Sequence, residues 1–202
     1  MKKLGLLLFP LLAITLMLGG NAFAQDNSTY FTTYYSNANT SGAPDATLRI
    51  INDGNTDANL YADIYVFDDS QELQACCGCV ISADGLLSES VNANLTYNNL
   101  TRTVNTRGVI KVISDSNVKG WNAGSAVVPK PGLRVAATHI QAGYSGAFAV
   151  TETNAFDSNL GTVEKSLLPQ ECGFIVGTQT GGNGGLGSGK GTCSCTPEDS
   201  DF

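Results

Sequence analysis

One histidine, one tryptophan and two methionines are all that 202 residues hold of those types, and charged side chains make up only 14% of the chain. A single histidine cannot supply the pair on which many zinc hydrolases rely, and a serine triad would have to use His139. Lys and Arg number 11 against 18 Asp and Glu, and the acidic residues are scattered. The chain therefore has no electrostatic footprint for nucleic acid or for an anionic lipid surface. Haem attachment is excluded by the absence of any C-x-x-C-H run. Past the N-terminus no apolar run reaches the roughly 20 residues that a spanning helix needs.

What is present begins with an export pattern. Lys2 and Lys3 precede an apolar run from Leu4 to Leu18, and Ala22-Phe23-Ala24 supplies the small-residue pattern of a signal-peptidase site. Residues 1–24 are expected to be a cleaved signal peptide. Because that segment carries two lysines, its loss takes the formal charge from −7 to −9. The mature chain is then expected to be extracellular or periplasmic, with no membrane span after cleavage.

Residues 25–176 read as one β domain. Asn, Thr, Ser and Gly supply the polarity that charged residues do not, as suits exposed strands and turns. The run Thr47–Ile51 leads into Asn52-Asp53-Gly54-Asn55, a strong turn signal. In the next run, Leu60, Ala62, Ile64 and Val66 alternate along one face of a strand. Further β-rich runs cover Leu73–Ile81, Ser88–Leu95, Gly108–Ile113, Leu133–Ile140 and Gly146–Thr153. Short strands at this spacing, with almost no helical pattern between them, predict an all-β antiparallel immunoglobulin-like sandwich. One short helix is expected over Thr162–Cys172, made irregular by Pro169. Tyr30, Phe31, Tyr34 and Tyr35 form either the first strand or a donor strand for a neighbouring molecule's sheet.

Residues 177–202 form a Gly-rich strap and a Cys-x-Cys tail. The six cysteines fall into two groups, Cys76, Cys77 and Cys79 against Cys172, Cys193 and Cys195. An oxidising compartment favours disulfides over thiolate metal sites. The metal alternative is four thiolates from Cys-Cys-x-Cys and Cys-x-Cys closing on Zn²⁺ or Cu⁺. Alternation along a strand puts Cys77 and Cys79 on one face and Cys76 on the other. The expected pairing joins Cys77 and Cys79 to Cys193 and Cys195, and Cys76 to Cys172. A flexible strap ending in two cysteines is thus expected to be docked on the domain.

Several motifs imitate chemistry without completing it. Gly184 to Thr192 approaches a phosphate-binding loop, but Gly191 stands where Ser or Thr is required. Asp53 to Asp57 begins like a calcium loop, yet Ala58 and Ile64 occupy the positions of the essential glycine and glutamate. A looser surface calcium site there stays open. His139 shares a strand phase with Leu133, Val135 and Ala137, which suits a packed residue better than a base. Ser145 lacks the G-x-S-x-G elbow, and a Glu152–Glu164 glycosidase pair has no supporting pattern. Terminal Phe202 is not preceded by the alternation of an outer-membrane strand. No cofactor is implied. Trp121 and Tyr144, in Gly-rich loop-like stretches, are the candidate ligand-binding residues, as aromatics able to stack on sugars.

The block Arg49–Leu87, with Ile64-Tyr65-Val66-Phe67-Asp68, Cys76-Cys77-Gly78-Cys79 and Asp84-Gly85-Leu86, resembles a family of uncharacterised secreted bacterial Cys-rich β-sandwich proteins. Their likeness extends to the Gly-rich, Cys-x-Cys end. That resemblance implies export and architecture, and transfers no functional residue. The expected function is a secreted, non-enzymatic surface or matrix protein, structural or adhesive, with itself or cell-surface and matrix components as partners. A carbohydrate- or small-ligand-binding module is the alternative, and an enzyme or thiolate metal site the second alternative.

Overall fold

Alternation of apolar side chains sets which face of each strand turns inward. In the computed structural model, described for residues 27–117, 121–179 and 191–196, that alternation builds two antiparallel sheets. The strands are β1 (Tyr30–Ser36), β2 (Thr47–Asn52), β3 (Leu60–Asp68), β4 (Leu73–Ile81), β5 (Leu86–Ser90), β6 (Arg107–Asp115), β7 (Leu133–Ala142), β8 (Phe148–Asn154) and β9 (Phe156–Ser158). One helix, α1 (Thr162–Gln179), follows. The larger sheet runs β4-β3-β6-β1-β9 and the smaller β5-β2-β7-β8. Leu60, Ala62, Ile64 and Val66 face a shared core with Leu48, Ile50, Leu87, Leu133 and Val135 of the other sheet. The signal segment, residues 180–190 of the strap and Phe202 lie outside the described residues.

A second apolar cluster covers the outer face of the larger sheet. Tyr65, Cys76 and Ile113 point away from the main core and are buried under Trp121, Val127, Leu168, Cys172 and Ile175. Gly78 makes this possible: a Cβ there would fall 2.0 Å from the Trp121 ring. The molecule is therefore layered as small sheet, large sheet, then helix with the Trp121 segment.

Three sequence expectations are corrected. The helix does not stop at Cys172 but continues to Gln179, with Pro169 inside it. Proline removes one backbone bond there. Leu168, Cys172 and Ile175, spaced along one helical face, are nonetheless buried on the sheet, and Cys172 is covalently tied to it. The run Ser88–Leu95 is not one strand, because β5 ends at Ser90 and residues 91–95 make a single wide turn. Ser90 Oγ accepts from the Ala93 N–H at 2.7 Å, and Asn94 Oδ1 accepts from the Ser90 N–H at 2.8 Å. Those local bonds compete successfully with the ladder. Finally, β1 lies inside the chain's own sheet, between β6 and β9, and is not free to act as a donor strand.

Gly78→Ala is expected to lift Trp121 off the sheet at a cost of about 1–3 kcal/mol. Because Trp121 is the sole tryptophan, its fluorescence reports this directly. A lower melting temperature with red-shifted emission is the expected outcome, and unchanged emission would count against the packing.

Candidate functional site

Strand β4 carries the densest chemistry in the molecule. Its pairing with β3 sets Cys77 opposite Ile64 and Cys79 opposite Ala62, both inward, and Cys76 opposite Tyr65, outward. The disulfides are Cys76–Cys172, Cys77–Cys193 and Cys79–Cys195, and no cysteine is free. The outward bridge to Cys172 and the two inward bridges to the tail agree with the expectation, and the structure adds which inward cysteine meets which tail cysteine. The outward bridge holds α1, and the two inward bridges hold the tail.

The tail closes one flank of the molecule. At β4, the Thr192 N–H donates to the Cys76 carbonyl at 2.8 Å, and the Cys76 N–H donates to Thr192 Oγ1 at 3.0 Å. Gly191 must be glycine, since a Cβ would sit 2.3 Å from that carbonyl oxygen. At β5, the Thr196 N–H donates to Glu89 Oε1 at 2.7 Å, with the Thr196 hydroxyl 3.0 Å from the same oxygen. The segment 191–196 thus bridges the edge strand of one sheet to the edge strand of the other.

Cys77, Cys79 and Cys195 bring three sulfurs within 4.8 Å of one another, one fewer than the four thiolates of the metal alternative. All three are bridged in this structure, and a disulfide sulfur has no thiolate charge to offer a metal.

Glu89 and Asp63 are buried acids that the sequence reading did not single out. Glu89 points into the space between the sheets, and its Oε2 has no hydrogen-bond partner among the described residues. Burial pushes its carboxyl above the ordinary value, against the opposing pull of the two Thr196 contacts. Asp63 lies between Gly78 and Ile113 in the ladder, on the outer face of β3, and is 1% exposed. Desolvation first, and then the charge of Asp115, raise its carboxyl well above 3.8. Both causes favour the protonated form of Asp63, whose two oxygens have no other hydrogen-bond partner among the described residues. Asp115 in turn accepts from the N–H groups of Val128 at 2.8 Å and Asn117 at 3.1 Å, which ties the residues that follow Trp121 to the end of β6. The available signal was the outward set Tyr61, Asp63, Tyr65 and Phe67. Three aromatics in phase imply a covered face, and a carboxyl among them is then buried.

The two candidate ligand-binding aromatics are not brought together. Trp121 is 7% exposed beneath the outer layer of the larger sheet. Tyr144 is fully exposed in the turn between β7 and β8 of the smaller sheet. His139 stacks on Tyr34 with ring centroids 4.0 Å apart, and its ring nitrogens meet the Tyr34 carbonyl and Thr153 Oγ1. Those contacts consume both nitrogens in packing. In the calcium-like turn, Asp53 pairs with Arg134 at 2.8 Å and Gly54 takes φ +71°. Glu152 pairs with Arg49 on the smaller sheet, whereas Glu164 pairs with Lys111 beside the helix, so they do not form a carboxylate pair.

One groove of about 270 Å³ runs between α1 and the larger sheet, lined by Phe67, Val109, Lys111, Glu164, Leu167 and Glu171 among others. Lys111 bonds Glu164 at 2.8 Å and lies 4.7 Å from the Phe67 ring centroid. Its cation is therefore already neutralised and stacked. Among the described residues no helix is long and apolar enough to cross a membrane.

No protein-family model matches the chain, and no curated protein matches it. Among solved structures, the crystal structure of Thermotoga maritima 1070 is similar over 65% of this chain and 95% of its own, at 13% identity and a TM-score of 0.41. A likeness at that level carries no argument about function.

Two predictions follow from the buried chemistry. Replacing Cys76 and Cys172 together by serine removes a bridge spanning 96 residues of sequence and is expected to cost about 2–5 kcal/mol, with α1 detaching before the sheets melt. Hydrogen exchange along 162–179 would show this, and uniform loss of protection throughout the chain would contradict it. The pH response has a definite sign. The carboxyls of Asp63, Asp115, Glu89 and Glu171 are all raised, each chiefly by desolvation. The folded chain therefore holds these protons more tightly than the unfolded chain. The resulting stability is complete below the ordinary carboxylate range and is lost as pH rises through the folded values. Melting temperature should fall between mildly acidic and mildly alkaline pH. Asp63→Asn, whose amide donates to Asp115 at any pH, should flatten that slope and stabilise the neutral-pH protein by about 1–3 kcal/mol.

Proposed function

We propose that this chain is a secreted, disulfide-stabilised structural or adhesive protein of the cell surface or extracellular matrix, built on an immunoglobulin-like sandwich. The observation that carries the reading is the clasp at β4. All six cysteines are spent on tying a helix and a tail to one strand, an investment that suits an oxidising compartment. The titratable groups agree with it. His139, Asp63, Asp115 and Glu89 are buried in packing and anchoring roles. Low charge and a polar Asn/Thr/Ser/Gly surface fit contact with solvent and matrix.

The ligand-binding alternative keeps one supporting observation, the fully exposed Tyr144 at a hairpin tip. Trp121 does not share that exposure, so a stacking platform would rest on Tyr144 alone.

The test is made in the producing cell. The mature chain, beginning at Gln25 and without free thiols, is expected in the surface or matrix fraction, and deletion should weaken attachment or matrix cohesion. Retention inside the cell with residues 1–24 intact would overturn the reading. Loss of glycan retention in Tyr144→Ala, with attachment unaffected, would favour the alternative.

A further inference from the structure

The two flanks of the molecule are finished differently. On one, segment 191–196 covers the outer edges of β4 and β5. On the other, the continuous stretch 148–158 supplies the edge strands of both sheets, β8 and then β9, and among the described residues nothing pairs with the outer edge of β8. All of β8 is exposed to some degree, with Val150 at 54%.

Backbone direction on β8 can be assigned from its neighbours. The Ala155 N–H donates to the Val135 carbonyl and the Gly143 N–H to the Ala147 carbonyl. On the far side of β7, the Asp53 N–H donates to the Gly132 carbonyl. Odd-numbered residues of β7 therefore bond towards β8, and even-numbered ones towards β2. With His139 opposite Thr151 and Ala137 opposite Thr153, the backbone groups of Ala149, Thr151 and Thr153 are used by β7. Those of Phe148, Val150, Glu152 and Asn154 point outward from the sheet. Natural edges are usually blunted by Lys, Pro, a bulge or a cover; β8 holds no Lys, Pro or bulge, and none of the described residues covers it.

We infer that β8 is an interface for a second copy of this chain, paired antiparallel about a two-fold axis at Thr151. The inference deepens the structural reading above and rests on it for its biological meaning. In this register, Val150 of each copy meets Glu152 of the other and Phe148 meets Asn154. These are the outward-bonding residues, so each such pair exchanges its backbone hydrogen bonds. Thr151 faces Thr151, a favourable β-branched pair. The sole charge on β8 is Glu152, already neutralised by Arg49, and it opposes Val150 rather than its own copy. A register centred on Glu152 would instead set like charges opposite each other. The same register carries Phe156, 79% exposed, towards the 143–146 turn of the second copy. The result joins the two smaller sheets into one continuous sheet. Because the opposite flank is closed by the bridged tail, assembly stops at a closed dimer and does not propagate as a filament.

The experiment is sedimentation velocity and light scattering on the oxidised mature protein across the micromolar range. A dimer in equilibrium with monomer is expected. Thr151→Lys places two cations face to face and should raise the dissociation constant about fivefold. Val150→Lys sets a cation opposite Glu152 of the second copy and should leave the dimer equal or tighter. Val150→Pro removes an outward N–H without touching the β7 ladder and should abolish the dimer. Circular dichroism and melting temperature establish that each variant is folded. If Val150→Pro does not fold, the opposed responses of the two lysine variants decide the matter. Monomer at every concentration, equal weakening by both lysines, or growth beyond the dimer would overturn the inference. A monomer recovered from the cell surface would sink the dimer alone, whereas a dimer retained inside the cell would sink the surface role alone.

Discussion

The hold on strand β4 governs most of what surrounds it. As an edge strand it has only β3 as a ladder partner, and an edge of that kind normally frays or recruits another chain. Here it is gripped from both faces at once. Cys76 reaches outward to α1, while Cys77 and Cys79 reach inward to the tail. Two consecutive residues pointing in opposite directions are what allow one strand to anchor two separate layers. Cross-links over separations of 96 and 116 residues also restrict the unfolded chain strongly.

Buried acid is the counterpart of that cross-linking. A surface helix and loop laid over the larger sheet convert Asp63 from a solvent-facing position into an interior one, and the docked tail does the same to Glu89. Each burial carries a desolvation cost: Thr196 relieves it at Glu89, whereas the charge of Asp115 adds to it at Asp63 and favours the protonated form. The covering layers thus leave a signature in pH dependence. The remaining flank, formed by 148–158, has neither bridge nor buried acid, and it is there that the molecule still offers unpaired backbone.

Much of the layout was legible in the chain. Alternation at Leu60, Ala62, Ile64 and Val66 identified β3, and Leu73–Ile81 matched β4 from end to end. Opposite phases of Cys76 and its neighbours separated the bridge to Cys172 from the two to the tail, without saying which inward cysteine meets Cys193 and which Cys195. Legibility failed where local and tertiary forces disagreed. Pro169 argued for a short helix, but apolar burial and the Cys172 bridge carry α1 on to Gln179. Val91 and Leu95 looked like strand residues, but Ser90 and Asn94 closed a turn. Trp121 looked like a loop aromatic for a ligand, but Gly78 opened a seat for it on the sheet. The three-residue strand β9 had no periodicity long enough to be recognised.

The sequence by itself determined periodicity and chemistry. It settled which residues alternate into a core, which cysteines share a face, and where glycine and asparagine turn the chain. These are local properties, carried by a residue and its near neighbours. Only the tertiary structure decided which faces are covered. Whether Asp63 meets water or Asp115, whether Trp121 is a platform or a plug, and which sheet edge stays open depend on segments far away in sequence. Burial is a relation between distant parts of the chain, and no local pattern states it.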